Sequence, residues 1–519
     1  MATRPPNMTL DNPFTTAELL EGMSQMKKGK ATGPDDIPIE VFLAIKDDPD
    51  IIAILLEAMN DALFNSTALL QDWKNVIVAK VHKSGEIHDP SNYRPVALMS
   101  HIGKVFEHMI VNRIQPYLLS LPPDDTSLRD HIVPVCPIPA NANGFVPNRC
   151  TEDSILVLRH LSSCALENGR PFYAAFLDFT KAYDRTDREL LFTILHRHGI
   201  PPHLLQLITQ FHQGAEAQVR VGTDLSDPFA LRLGLKQGSV LSPLLFNVFM
   251  GAILRQVHEG YANYESGLKE QLPQSTQPIP NIPLGVMHVS NPMGDPSSTA
   301  DFSGVIDNNL KLKKQAVTSF LLRICELVYA DDVTLVSSSD IALQLMVQYF
   351  QIVSKGFGQL LSPKKSTIMV TSSEDNVPNH CPFSFIHQDT TLENFEANEQ
   401  KEDKTQYTIL EATRYLGNMA NNRGTMEADI NTRSRGMYCS FTRLKGEVFH
   451  NGGLHFRTKF AVFNSVVLGV GLCLPMLESG YTGYAQIRTT ILEIYATNCT
   501  GLHVGYAHGK SYTQSSDRS

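Results

Sequence analysis

Apolar positions along the chain recur at two spacings, which predict a mixture of amphipathic helices and short buried strands. Helical spacing is found over Ala17–Met26, Ile51–Leu70, Asp187–His196 and His203–His212. Val76–Val81 is a candidate strand, and the continuous apolar run Phe172–Leu177 predicts a buried strand. The pattern therefore indicates a fold that combines helices with at least one buried sheet.

Three further patterns place polar residues at the ends of apolar elements. Apolar runs flank Ala330-Asp331-Asp332 within Ile324–Val336, which predicts a tight hairpin. Another helix is predicted to begin at Ser242-Pro243, with serine as its cap and proline as its first residue. The run Phe172–Leu177 ends directly on Asp178. These patterns predict that carboxylates stand where buried strands end.

Three longer stretches carry a different composition. The segment from about Leu268 to Lys314 is rich in Pro, Ser and Asn and is interpreted as a flexible insertion. The segment Thr371–Lys404 is also polar. Phe460–Leu477 is apolar, but it barely reaches the roughly 18 residues that a membrane span needs, so a buried core helix is favoured.

The bulk composition is that of a folded globular protein. Hydrophobic residues make up 42% and charged residues 19% of the 519 positions. The net charge of -9 does not favour nucleic-acid binding, so any such surface must be a local basic strip. The 8 cysteines show no C-x-x-C spacing, which indicates reduced thiols and gives no sign of a zinc site. With no signal peptide at the N-terminus, an intracellular location is expected.

Asp331 and Asp332 are the first candidates for chemistry. Adjacent aspartates are by themselves more typical of a solvated turn than of a metal site. The flanking apolar runs, and Asp178 at the end of a distant strand, favour the metal site instead. Phosphoryl transfer with two cations roughly 3.5–4 Å apart needs carboxylates that converge from separate elements.

Around these aspartates, ordered motifs resemble those of non-LTR (LINE-type) retrotransposon reverse transcriptases. The resemblance covers about Phe14 to Leu444, with every block in family order. The palm blocks are Phe176–Asp184, Gly234–Asn247, Tyr329–Asp332, Ser362–Ser366 and Arg414–Gly417. The blocks upstream of the palm are Lys30–Asp35, Lys83–Gly85, Asn92–Pro95 and Gly144–Pro147.

The resemblance implies a role for each matching residue. Asp178, Asp331 and Asp332 would hold two Mg²⁺ ions, or Mn²⁺, and Lys365 could protonate the leaving pyrophosphate. The incoming dNTP would be bound by Lys83, Arg94, Tyr183, Gln237 and Gly238, with the Tyr183 ring excluding a 2′-hydroxyl. The primer and the duplex would be contacted by Tyr415, Leu416 and Gly417 and by Arg433, Arg435 and Arg443. For these arginines, which alternate with the apolar face of one helix, a solvated basic surface is an equally good interpretation.

The implied fold is α+β, the right hand of polymerases, with helical fingers, a palm with an antiparallel sheet and a helical thumb. We expect an N-terminal extension over 1–62, fingers and palm over 63–420, and the thumb with a truncated C-terminal region over 421–519. The expected partners are an RNA template, a DNA primer and dNTP, with no membrane; action in the nucleus is an expectation that no import signal supports.

Three alternatives stay open at this point. A retrotransposon remnant that binds RNA without polymerising would fit the acidic charge and the absence of endonuclease and Cys/His knuckle motifs. An intron-encoded maturase would need a basic domain after the thumb, and the residues after Leu444 carry no such basic run. An RNA-directed RNA polymerase also uses paired aspartates on a hairpin, but Tyr183 argues against it.

Overall fold

The computed structural model describes residues 3–65, 69–82, 85–120, 137–139, 141–271, 286–290, 320–372, 384–386, 402–423, 427–451 and 453–468. The chain divides into two compact units. The first unit is built within residues 1–154, 170–370 and 374–409, and the second within 155–169, 371–373 and 410–519. Within the described part of the chain, no helix is long and apolar enough to cross a membrane.

The described α-helices are numbered here in chain order. They are α1 Thr16–Ser24, α2 Ile39–Ala44, α3 Pro49–Phe64, α4 Gln71–Lys74, α5 His101–Ser120, α6 Thr151–Glu167, α7 Arg188–Arg197, α8 Pro202–Gln210, α9 Leu241–Gln271, α10 Asp340–Gly356, α11 Glu427–Leu444 and α12 Phe456–Val462. Short 3-10 turns lie at Met8–Asp11, Pro90–Asn92 and Tyr183–Arg185, and π-helical turns at Lys445–Phe449 and Phe463–Leu468.

The described strands are numbered in the same way. They are β1 Val76–His82, β2 Tyr93–Leu98, β3 Phe172–Leu177, β4 Glu216–Val221, β5 Asp224–Leu225, β6 Phe229–Ala230, β7 Val286–Ser290, β8 Phe320–Ile324, β9 Glu326–Tyr329, β10 Asp332–Ser337, β11 Thr367–Thr371, β12 Ser384–Ile386, β13 Glu402–Gln406, β14 Thr408–Ile409, β15 Ala412–Tyr415 and β16 Asn418–Asn421.

Local sequence explains where several helices begin. Thr15 and Glu18 form a reciprocal capping box at the start of α1. Asp48 accepts hydrogen bonds from the first backbone N–H groups of α3, whose first residue is Pro49. Ser339 caps α10 through a bond from the Ala342 N–H. The helices predicted near Ala17, Ile51, Asp187 and His203 are confirmed, with ends that differ by a few residues.

The central sheet of the first unit has the order β14-β11-β3-β10-β9. Strand β10 lies antiparallel to β3 and to β9, and the predicted hairpin over Ile324–Val336 is confirmed. Strand β3 has the predicted bounds and every one of its six residues is buried. The predicted antiparallel sheet is present in β3, β10 and β9, and at one edge the short strand β14 joins β11 in parallel.

A second five-stranded sheet forms in the region expected to make helical fingers. Strands β2-β1-β4-β5 follow one another, and β6 also pairs with β4. Strand β1 is antiparallel to β2 and parallel to β4. The strand predicted at Val76–Val81 is confirmed as β1, which is buried at its start and exposed at its end and pairs on both sides, so this region combines helices with a sheet.

Helix α9 forms much of the core of the first unit. Phe246 and Phe249 are fully buried on it, and the helix packs against α5, α7 and α10. The N-terminal segment is fastened to α5 by Arg113, whose guanidinium binds Glu18 and the carbonyl oxygens of Leu10 and Asn12. Helix α9 therefore joins three other helices of the first unit in one core.

Parts of the predicted insertion at 268–314 do have regular structure. Helix α9 extends to Gln271, and β7 pairs with β8 in antiparallel register from Val286↔Ile324 to Ser290↔Phe320. Residues 272–285 and 291–319 lie outside the described residues, as do most of the polar stretch Thr371–Lys404 and the second half of Phe460–Leu477. Of the last segment, the described part is helical.

Candidate active site

Asp178, Asp331 and Asp332 come together at one end of the central sheet. Val333 pairs with Leu177 across β10 and β3, so Asp332, one position before Val333, lies opposite Asp178, one position after Leu177. Asp331 occupies the hairpin turn between β9 and β10. The strand register thus brings the end of β3 and the β9–β10 hairpin, which carry these carboxylates, to the same end of the sheet.

A neighbouring loop supports the turn that carries Asp331. Ala330 has a φ of 56°, an uncommon backbone conformation for a residue with a side chain. A Cβ atom on Gly144 would lie 2.5 Å from the Ala330 nitrogen, so only glycine fits there. The Asn143 N–H donates to the Val328 carbonyl at 2.9 Å, which continues this contact along β9. The loop over 141–144 therefore packs directly beneath the aspartate turn.

The electrostatics of Asp331 and Asp332 are those of crowded carboxylates. Burial and the neighbouring charges of Asp331 and Asp178 raise the pKa of Asp332 to about 6. Burial also raises the pKa of Asp331, and Asp178 adds to the rise, while Lys365 and Arg94 oppose it. Both aspartates keep exposed surface, so they remain accessible from solvent. A cation bound here would lower both pKa values.

The backbone of Asp178 is held by the segment that resembles the fourth palm block. Its N–H donates to Ser366 Oγ at 3.2 Å, and its carbonyl accepts from the Ser362 N–H at 2.7 Å. Lys365 Nζ lies 3.4 Å from Asp178 Oδ1, and both side chains are partly exposed. This segment therefore fixes the backbone of Asp178 at the end of β3, and the Lys365 ammonium group lies beside the Asp178 carboxylate.

The oxygen-rich donor set of this site suits a divalent cation such as Mg²⁺ or Mn²⁺. Besides burial, Asp178 raises the pKa of Asp331, and Asp331 and Asp178 raise the pKa of Asp332; a bound cation would relieve that repulsion. Among the described residues, however, no three His, Cys, Asp or Glu side chains are grouped closely enough to form a metal site as they stand. Asp178, Asp331 and Asp332 are the residues that would hold the ions.

Tyr183 stands beside the carboxylates. Its ring stacks on Phe246 with centroids 4.7 Å apart and an interplanar angle of 13°. Its buried hydroxyl has no hydrogen-bond partner among the described residues. Burial, with a contribution from Asp331, raises the pKa of this hydroxyl. The neutral ring is thus held flat against the core, next to the aspartate turn.

The Gln237-Gly238 turn is joined to β2 by its backbone. The Gln237 carbonyl accepts from the Ala97 N–H at 2.7 Å. Gly238 has a φ of 126°, and a Cβ there would lie 2.5 Å from the Ala97 carbonyl oxygen. Strand β2 also carries Arg94, which is exposed and close enough to influence Asp331. Lys83, the other predicted triphosphate ligand, lies outside the described residues.

The remaining predicted residues belong to the second unit. Tyr415 is buried, and Leu416 and Gly417 form the β15–β16 turn with φ angles of 46° and 85°. Arg435 and Arg443 are exposed on α11. Arg433, by contrast, is buried: its Nε binds Asp429 Oδ2 at 3.0 Å and its Nη2 binds Asn418. The structure therefore separates the three predicted basic residues into two exposed ones and one buried one.

The start of α9 depends on residues that the sequence patterns did not identify. The helix begins at Leu241, and its first N–H groups donate to Ser239 Oγ, so Ser239 is the cap where Ser242 was predicted. The fully buried carboxylate of Glu107 accepts from Ser239 Oγ at 2.9 Å and from the Val240 N–H at 2.7 Å. The sequence did not indicate this contact, because Glu107 stands in its helix like an ordinary charged residue. Only the structure shows that its carboxylate is fully buried.

Comparison with known proteins places these residues in a family context. Residues 81–269 match the family described as Reverse transcriptase (RNA-dependent DNA polymerase). The matched region includes Asp178, Tyr183, Gln237 and Gly238 and ends before the Asp331 turn. The match thus covers the first two palm blocks and part of the region before them.

Several transposon proteins are similar to the chain. The Transposon TX1 uncharacterized 149 kDa protein of Xenopus laevis is 27% identical over 46% of this chain and 17% of its own length. The probable RNA-directed DNA polymerase from transposon BS of Drosophila melanogaster is 25% identical over 46% of the chain and 24% of its own. The RNA-directed DNA polymerase from mobile element jockey of the same organism is 26% identical over 45% and 24%. The chain therefore spans about a quarter or less of these relatives.

Among solved structures, an apo telomerase from Candida tropicalis overlaps 59% of this chain and 52% of its own, at 12% identity and a TM-score of 0.33. A likeness of that size carries no argument about this site.

Proposed function

We propose that this chain, which contains a reverse transcriptase domain of the non-LTR retrotransposon type, is an RNA-directed DNA polymerase that extends a DNA primer on an RNA template. The observation that carries the proposal is the placement of Asp178 opposite Asp332, beside the Asp331 turn, at one end of a buried sheet. A solvated acidic loop would need neither the distant strand nor the packed loop beneath the turn.

The proposed reaction is nucleotidyl transfer. The primer 3′-oxygen forms a bond to the α-phosphorus of a dNTP, the bond from that phosphorus to the bridging oxygen breaks, and pyrophosphate leaves. The 3′-hydroxyl gives up its proton, and Lys365 is the proposed donor of a proton to pyrophosphate. Two divalent cations, held by Asp178, Asp331 and Asp332, would stabilise the negative charge of both oxygens when bound.

The nucleotide would be bound between strand β2 and the Gln237-Gly238 turn. Arg94 is exposed on β2 and would bind the triphosphate together with Lys83. The Tyr183 ring, held against Phe246, would lie under the sugar and exclude a 2′-hydroxyl. Gly238 lets the turn pack closely against β2, since a Cβ there would meet the Ala97 carbonyl oxygen, and its backbone would line the nucleotide pocket.

The nucleic-acid contacts are proposed for the second unit. We propose 1–62 as an N-terminal extension, 63–420 as fingers and palm, and 421–519 as thumb and C-terminal region, so the turn at residue 415 counts with the palm and α11 with the thumb. Tyr415, Leu416 and Gly417 would form the turn that contacts the primer. Arg435 and Arg443 are exposed and would contact phosphates. For Arg433 we propose a structural role, because Asp429 and Asn418 already engage its guanidinium. Priming on chromosomal DNA would place the activity in the nucleus.

Primer extension tests the proposal. Purified protein should incorporate dTTP on poly(rA)/oligo(dT) with Mg²⁺, and the incorporation should disappear when the template is removed with ribonuclease before the reaction. Absence of incorporation with both Mg²⁺ and Mn²⁺ would contradict the proposed function.

A further inference from the structure

Arg188 is a buried cation with an unusual set of partners. It is the first residue of α7 and is 8% exposed. Its Nε donates to the Gly234 carbonyl at 2.7 Å and its Nη2 to the Leu233 carbonyl at 3.2 Å. Its Nη1 donates to the carbonyls of Leu231 at 2.6 Å and His212 at 3.0 Å. Four backbone oxygens thus surround one guanidinium.

No charged partner explains why Arg188 is buried. Burial is the only cause that lowers the pKa of Arg188, and none of the described carboxylates shifts it. A buried cation without a carboxylate is costly unless its N–H groups are directed at acceptors, and the planar guanidinium fork makes four such hydrogen bonds here. The residue therefore connects backbone segments, and none of the described acidic side chains takes part.

The segment that Arg188 binds leads directly into the proposed nucleotide site. Three of its four acceptors lie within 231–234, immediately before the Gln237-Gly238 turn. The same segment is joined to the region of Tyr183 by its backbone: the Leu235 N–H donates to the Tyr183 carbonyl at 2.8 Å, and the Gly234 N–H to the Thr186 carbonyl at 3.1 Å.

A second buried cation, Lys236, lies within the same segment. Lys236 Nζ donates to the carbonyls of Phe211 at 2.8 Å and Lys74 at 3.1 Å. Phe211 and His212 directly follow the C-terminal end of α8. The Phe211 carbonyl binds Lys236, and the His212 carbonyl binds Arg188. The negative end of a helix dipole stabilises both charges there.

We infer that Arg188 is a positioning residue that fixes the Gly234–Gly238 turn relative to the Tyr183 ring and so determines how strictly the nucleotide site excludes a 2′-hydroxyl. The inference rests on the proposed function. Arg188 touches backbone carbonyls and acts through the turn. A shift of this turn changes the gap above the tyrosine ring, where a ribose and a deoxyribose differ by one oxygen.

The test compares Arg188→Lys and Arg188→Met with Arg197→Lys. Lysine keeps the charge of Arg188 but cannot reach all four carbonyl acceptors. Arg197→Lys is the control, because Arg197 lies exposed on the same helix. Single-nucleotide extension on poly(rA)/oligo(dT) gives kcat and KM for dTTP and for UTP. Both Arg188 variants should lower the dTTP-to-UTP ratio of kcat/KM by about five-fold, the effect of one lost hydrogen bond, mainly through KM. Arg197→Lys should leave the ratio unchanged.

Hydrogen–deuterium exchange provides a readout that needs no catalysis. Amides over 231–239 should exchange faster in both Arg188 variants than in Arg197→Lys, while those in α10 should not change. Unchanged exchange over 231–239 would overturn the inference that Arg188 fixes this turn. Faster exchange with an unchanged dTTP-to-UTP ratio would overturn its role in selection. A wild-type protein that incorporates neither nucleotide overturns the proposed function instead. The exchange data then test only whether Arg188 fixes the turn. If the methionine variant does not fold, the lysine variant decides both questions.

Discussion

Leu177 pairs with Val333 across β3 and β10, and this register brings Asp178 and Asp332 to the same end of the sheet. The two aspartates are separated by more than 150 positions in the chain, so only the strand pairing makes them neighbours. A shift of one residue would turn the buried side chains of β10 towards the other face. The apolar composition of both strands therefore maintains the geometry of the candidate site.

The raised pKa of Asp332 predicts how stability depends on pH. Between its ordinary value of 3.8 and its folded value of about 6, the folded protein binds more protons at this position than the unfolded chain. The free energy of unfolding therefore decreases as pH rises through this window and stays reduced above it. Asp332→Asn should raise the Tm at pH 7.5 by roughly 1 °C, because solvent screening limits the effect to about 1 kcal/mol and a chain of this length has a large entropy of unfolding.

Differential scanning fluorimetry at pH 4 and 7.5, without divalent cations, measures this effect. The variant and the wild type should melt together at pH 4, and Asp61→Asn, which changes an exposed residue of α3, should show no difference at either pH. A stabilisation of Asp332→Asn that is equal at both pH values would contradict the explanation from the raised pKa of Asp332.

Removal of the Tyr183 ring should admit ribonucleotides. Tyr183→Ala leaves space over Phe246, so the efficiency of UTP incorporation relative to dTTP should rise on the order of 10–100-fold. Tyr183→Phe is the matched control, because the hydroxyl has no partner among the described residues and the ring is retained. A phenylalanine variant that loses discrimination as the alanine variant does would refute a steric role for the ring.

The Glu107 carboxylate should be important for folding. Glu107→Leu would leave Ser239 Oγ and the Val240 N–H without their buried acceptor, which should lower the free energy of unfolding by about 1–3 kcal/mol. Glu107→Gln keeps an oxygen and should lose less. Urea denaturation measures the difference, with Glu57→Leu as an exposed control. Equal stability of Glu107→Leu and wild type would show that the cap is dispensable.

The arginines of α11 should separate into two classes in a salt titration of primer–template binding. Arg435→Ala and Arg443→Ala should each reduce the slope of log K against log salt by about 1, with unchanged stability. Arg433→Ala should instead lower the Tm, because it leaves Asp429 buried without its nearest cation. A reduced slope for Arg433→Ala at normal Tm would assign that residue to the nucleic-acid surface.

Much of the sheet could be predicted, because apolar runs record burial directly. Strand β3 has the predicted bounds, and the hairpin around Asp331 forms where two apolar runs meet a polar pair. The parallel edge strand β14 could not be predicted, since two residues carry no periodicity. Of the sheet that contains β1, only β1 itself was predicted, and β5 and β6 were missed for a related reason: they are also two residues each, and both are exposed.

The contacts that hold the site together were less predictable. Arg188 binds backbone carbonyls 24 to 46 positions away, and a carbonyl has no signature in the sequence. Glu107 reads as an ordinary helical charge until its burial is known. Arg433 did have a signal: Asp429 lies four residues earlier on the same helix, a spacing at which opposite charges pair.

The central claim is tested most directly by primer extension with one changed carboxylate. Wild type, Asp331→Asn and Asp61→Asn are compared on poly(rA)/oligo(dT) with dTTP and Mg²⁺, after all three are shown to melt as folded proteins. We expect incorporation by wild type and Asp61→Asn, and a loss of at least about 10³-fold in Asp331→Asn, as for removal of a group that stabilises transition-state charge. Equal incorporation by Asp331→Asn and Asp61→Asn would contradict the account.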